Sequence, residues 1–168
     1  MQQKTHIQKG LVIAAILIIF KAITHFTHTS FAEWTVFVFG LIIVLSVAIS
    51  VQLYQKENNF DFKFTELFSY GFKVTAVIAS IYFIFIFLET KLFFPDYINE
   101  RLLKSIEQIK QSGLIDQKTF EENVEQSMAL GKKVETYKYF AGTMMSILFL
   151  GVLGSVLGSV FSKTKATN

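Results

Sequence analysis

From Tyr139 to Ser162 the chain runs 24 residues without a charged or histidine side chain, and from Trp34 to Gln55 it does so for 22. An α-helix needs about 20 predominantly apolar residues to cross the hydrocarbon of a bilayer. Two such stretches in one short chain exclude a water-soluble globular fold. Val74 to Leu88 adds a third uncharged run of 15. Charged residues make up 17% of the 168, against roughly 25% in an ordinary soluble domain. Nineteen Phe and a single Pro exclude disorder, and the absence of Cys excludes disulfides, thiolate metal sites and cysteine nucleophiles.

The sequence predicts an all-α membrane protein, residues 1–168 forming one membrane domain. Its four transmembrane helices are expected at about 7–27, 33–55, 66–92 and 138–162. The first is interrupted by Lys21 and spans only if that lysine is accommodated. A cleaved signal peptide is the rival reading, because Lys4 and Lys9 precede an apolar core and Ser30-Phe31-Ala32 resembles a small-residue cleavage site. The second is apolar on all faces. The third contains Lys73 and the dense run Ile78 to Leu88, then meets the interfacial aromatics Phe93 and Phe94 and the helix-stopping Pro95.

Residues 96–138 change character, with eight acidic and seven basic residues among 43. They predict a water-facing helical hairpin between the third and fourth spans. Ile98, Leu102, Leu103, Ile106 and Ile109 recur at helical spacing, and Gly113 is placed as a C-terminal stop. A second arm is expected from Asp116 or Thr119, where Thr119-Phe120-Glu121-Glu122 fits a capping box. Gly131 is expected to allow a bend before the last span. Lysines in the short flanks place both termini in the cytoplasm, although the basic residues of the insert point the other way.

Lys21, His25 and His28 fall on one face of the first helix. Ionisable groups inside a membrane segment are costly and often functional, but a lysine near the helix end also snorkels to the headgroups. His25-x-x-His28 has the spacing of a metal pair, with only Glu33 near it, and no metal site is expected. Lys73 is a candidate for an anionic headgroup or substrate, or for pairing with Glu66. Glu33 and Glu89 flank the outer end of the first helix as candidate partners of Lys21. The intramembrane charge candidates are therefore Lys21, His25, Lys73 and Glu89. In the last helix Gly151, Gly154, Ser155, Gly158 and Ser159 set small residues four apart, which lets two backbones approach closely. That stripe predicts packing, within the bundle or between copies. Glu121, Glu122 and Glu125 read as a solvated face beside Lys118, Lys132 and Lys133. No phosphate loop, zinc-protease helix or serine elbow is present, and the scattered lysines form no nucleic-acid patch.

Phe64-Thr65-Glu66-Leu67-Phe68-Ser69-Tyr70-Gly71-Phe72, Phe94-Pro95-Asp96-Tyr97-Ile98 and the amphipathic insert before a Gly-rich last helix together resemble a family of small Bacteroidetes-type bacterial inner-membrane proteins. The family carries the label of a domain of unknown function, number 4199. The resemblance covers nearly the whole chain and implies four spans with an insert between the third and fourth. It supplies no activity, ligand or functional residue. The expectation is a non-enzymatic, multi-pass interaction or accessory module without cofactors. Its partners would be the lipid bilayer and a partner membrane protein or further copies of itself. The alternative is a small-molecule or ion permease subunit acting as an oligomer through Lys21, His25 and Lys73.

Overall fold

The computed structural model describes residues 5–58, 62–112 and 117–162, with 109–110, 112 and 117–129 described by backbone alone. Among the described residues there are five α-helices and no strand: α1 (Thr5–Phe26), α2 (Glu33–Glu57), α3 (Phe64–Leu88), α4 (Tyr97–Ser112) and α5 (Gln117–Val160). Four segments are long and apolar enough to cross a bilayer: Thr5–Phe26, Glu33–Glu57, Phe64–Phe93 and Leu130–Val160. The chain is thus an all-α protein of the membrane class. Helices are the open-chain solution in lipid because they satisfy every backbone N–H and C=O within one segment. Gly113, Asp116, Lys4, Lys163 and Lys165 lie outside what the structure describes, and of Lys118, Thr119, Glu121, Glu122 and Glu125 only the helical backbone is described.

The chain divides into two compact units, one formed by residues up to Ile84 together with those from Met144 onward, the other by Phe85–Thr143. The first unit has a core contributed by every helix in it. Ile13, Ala14 and Leu17 of α1, Ile43, Val47 and Val51 of α2, Leu67, Val74 and Ile78 of α3 and Ile147 of α5 are buried. Their spacing of three or four residues gives each helix one inward seam. The opposite faces carry Ile16, Ile19, Phe37, Leu45, Phe83 and Phe149, all exposed. Large apolar side chains on the outside as well as the inside suit a solvent that is itself hydrocarbon.

Small residues let these helices close up. A Cβ added at Gly154 would lie 2.7 Å from the Val44 carbonyl oxygen, and one at Gly158 would lie 2.8 Å from that of Ala48. Both contacts are with α2 backbone, which cannot rotate away as a side chain could. Gly151 faces Thr75 of α3, while Gly71 of α3 faces Ser155, so two glycines and two hydroxyl residues interlock across one crossing. Ser155 donates to the Gly151 carbonyl at 2.7 Å, Ser159 to that of Ser155 at 2.7 Å and Thr75 to that of Gly71 at 3.0 Å. Each hydroxyl is satisfied inside its own helix, so burial leaves no donor unpaired. Gly10 similarly brings α1 onto Val74 and Val77 of α3.

In the second unit α3 gives way to a π-helical turn over Glu89–Phe93, where the Phe94 N–H reaches back five residues to the Glu89 carbonyl at 2.7 Å. Pro95 then ends the run, since it lacks an N–H and disfavours helix before it. α4 begins after Asp96, whose carbonyl accepts from the Glu100 N–H at 2.9 Å. Tyr97 meets Tyr139, Arg101 meets Glu135 and Leu102 lies against Gly131, so α4 runs antiparallel to this part of α5. One expectation changes here. Gly131 does not interrupt the helix: α5 is continuous from 117 through 160, with no boundary near 138. No proline interrupts it, and at Gly131 the missing side chain admits Leu102, whose Cδ1 would stand 3.2 Å from an added Cβ.

Candidate functional site

The first unit contains a cavity of about 480 Å³ at the end where α1 begins, α2 ends and α3 begins. α1 contributes Thr5 and His6 to its lining, and α2 contributes Tyr54 and Asn58. α3 contributes Thr65, Glu66, Ser69 and Lys73, which share a face because they are spaced three or four residues apart, together with Tyr70. One wall is an aromatic stack: the Tyr54 ring lies 3.8 Å from that of Tyr70 and 4.9 Å from that of Phe62, both nearly parallel. Tyr70 is fixed further by its hydroxyl, which donates to Thr5 Oγ1 at 3.2 Å, and by the edge of His6. Lys9 sits over the Tyr70 ring at 5.7 Å and pairs with Glu57 at 3.1 Å, tying α1 to α2 beside the cavity.

Glu66 and Lys73 do not pair, contrary to one sequence expectation. Glu66 Oε2 accepts the Lys63 backbone N–H at 2.8 Å, while the Glu66 N–H donates to the Lys63 carbonyl at 3.1 Å. The carboxylate thus caps α3 as the N3 glutamate of a capping box does, where the helix dipole also favours it. Lys73 is exposed and forms no ion pair among the described residues.

The second unit holds a buried polar cluster. Glu89 is 0% exposed and Glu135 5% exposed. The Tyr139 hydroxyl donates to Glu89 Oε2, and Arg101 Nε donates to Glu135 Oε1 at 3.1 Å with its guanidinium 5.0 Å above the Tyr139 ring. Burial opposes the charge on Arg101, but the Tyr97 phenol and the Glu135 carboxylate outweigh it and hold the guanidinium above its usual range. Arg101 is therefore a permanent cation, and the ion pair, the ring contact and the Tyr97–Tyr139 packing hold α4 to α5.

Of the other candidates, Lys21 and His25 are half-buried near the end of α1. His28 adopts a left-handed backbone with φ 56° just beyond that end, and the Thr29 N–H reaches back to the Thr24 carbonyl at 2.9 Å. That is the geometry of a helix stop, normally a glycine's role. Glu33 is exposed in the first turn of α2 and forms no ion pair among the described residues, so it is not the partner of Lys21. No group of three metal-ligating side chains converges among the described residues. Arg101, Glu135 and Tyr139 went unrecognised because their partnership joins residues 34 and 38 apart, which no local spacing reveals.

Four apolar helices of spanning length, with charge gathered at their ends and in one buried cluster, define a multi-pass α-helical membrane protein. Within that class the chain belongs to the protein family of unknown function DUF4199, whose model matches residues 8–164. No curated protein and no solved structure matches the chain.

Proposed function

We propose that this protein is a non-enzymatic interaction or accessory module of the bacterial inner membrane, with both termini in the cytoplasm. The observation that supports this reading is the Arg101–Glu135–Tyr139 clamp, which commits buried charge to holding α4 in place. Beside it Leu103 of α4 and Leu130, Val134 and Tyr137 of α5 are exposed, the last three at i, i+4 and i+7 on one stripe. A rigid platform with an apolar stripe is suited to a partner membrane protein or a second copy. Nucleic acid and cofactors have no part in it.

A photocrosslinking residue placed at Tyr137 and at Leu103, with Ile19 as a lipid-facing control, tests the reading in native membranes. Discrete protein adducts at the first two positions and lipid adducts at the third are expected. Lipid adducts alone at all three would overturn it. One observation favours the second reading, a permease subunit: Glu89, fully buried within a span, accepts from Tyr139. Reconstituted vesicles carrying ion flux that Glu89→Gln abolishes would support that alternative over the first.

A further inference from the structure

We infer that the cavity between the ends of α1, α2 and α3 binds the headgroup of a zwitterionic phospholipid, one whose phosphate is followed by an ammonium. Among the described residues two formal charges line it, Glu66 and Lys73, which lie on one face of α3 and do not pair with each other. Seven residues at 1.5 Å each put their backbones about 10 Å apart along the helix. Lys73 swings on a four-carbon stem and Glu66 is held at the helix start, so the two can take the phosphate and the ammonium of a headgroup in which a two-carbon bridge joins them.

The order of the charges matches as well. Lys73 lies roughly 13 Å from the start of α3, Glu66 in its first turn. A phospholipid's phosphate is bonded to the glycerol that carries the acyl chains, so it is the deeper of the two headgroup charges, and the deeper residue is the cation. The Ser69 hydroxyl lies on the α3 face between the two charged groups and is a neutral donor for a phosphate oxygen, while Thr65 lies at the Glu66 end. The Tyr54–Tyr70 stack closes one wall with ring edges that tolerate an acyl chain. Phe72, exposed next to Lys73, offers apolar surface where the chains would run. A purely anionic headgroup fits less well, because Glu66 would face it with like charge.

Retention of lipid by the full-length, delipidated protein in detergent micelles, read by native mass spectrometry, tests this directly. Phosphatidylethanolamine, phosphatidylglycerol and phosphatidylcholine are offered in competition, and free phosphoethanolamine separately. Phosphatidylethanolamine should be retained over phosphatidylglycerol. Lys73→Gln should weaken its retention about tenfold, the worth of one charge-assisted hydrogen bond. Glu66→Gln keeps an acceptor for the helix cap but loses the charge, so it should move the preference toward phosphatidylglycerol. Equal retention of all three lipids by the wild-type chain, or preference for phosphatidylglycerol, would overturn the inference whatever the variants do. Binding of phosphoethanolamine without any lipid preference would assign the cavity to a soluble ligand and overturn the lipid assignment.

Discussion

His28 is the one non-glycine residue with positive φ, at 56°, among those the structure describes. The left-handed conformation costs an L-residue roughly 1 kcal/mol, which glycine avoids at the expense of a more flexible unfolded chain. His28→Gly should therefore raise stability by roughly 0.5 kcal/mol, seen as a small upward shift in thermal unfolding in detergent. A histidine needed for ion passage would instead show its loss in flux with stability unmoved. Arg101 offers the opposite test. Arg101→Met removes the guanidinium that compensates Glu135, a carboxylate almost wholly buried. It should cost on the order of 1 to 3 kcal/mol, and Glu135→Leu in the same chain should restore part of that loss by removing the stranded charge. A double variant no more stable than Arg101→Met alone would mean the pair contributes no coupling. Both residues were visible in the sequence as charges on a polar stretch, but the burial that gives them consequence comes from the partner helix.

At the scale of the element, α5 shows why a small-residue stripe predicts packing without naming the partner. Gly154 and Gly158 were legible as a close-approach motif, whereas Gly71 and Thr75 of α3, which receive Ser155 and Gly151, sit in an ordinary apolar stretch and give no local sign. With the stripe turned inward on α2 and α3, Gly154→Leu and Gly158→Leu would drive side chains into backbone. Each should lower stability by on the order of 1 to 3 kcal/mol or prevent folding, by thermal unfolding in detergent, without first altering oligomer size. Gly142 is the control from the same helix, because a Cβ there meets nothing within 4 Å. Gly142→Ala should be neutral or gain up to about 1 kcal/mol from helix propensity. Equal behaviour of all three variants would mean that α5 does not pack as described. The continuity of α5 past Gly131 belongs to the same lesson: a glycine can end a helix or admit a neighbour, and here it admits Leu102 of α4.

For the whole molecule, the orientation proposed above is an expectation from charge. The end carrying the cavity also carries Lys9, Lys56, Lys63 and Lys73, and positively charged short flanks favour the cytoplasmic side. Cysteines introduced singly as Ser105→Cys, Ser127→Cys and Thr167→Cys have no native thiol to compete with. In intact spheroplasts an impermeant thiol reagent should label the first two and spare the third. The reverse pattern would invert the topology and move the cavity to the outer leaflet. A lipid site would survive that reversal, but with a different leaflet as its source.

The sequence by itself determined the solvent of this protein and the number of its spanning segments. Uncharged runs of 22 and 24 residues cannot remain in water, and each helix satisfies its own backbone, so the spans are local properties of the chain. It also marked where helices would press together, because small residues at a spacing of four act through their lack of bulk. What it left open was every pairing between distant residues: Gly154 with Val44, Arg101 with Glu135, Tyr139 with Glu89, and the meeting of His6, Asn58 and Lys73 around one cavity. Those depend on which helix faces rotate toward one another. In a bundle whose outer faces are as apolar as its inner ones, hydrophobicity does not choose the rotation; the fit of side chains and the satisfaction of buried polar groups do.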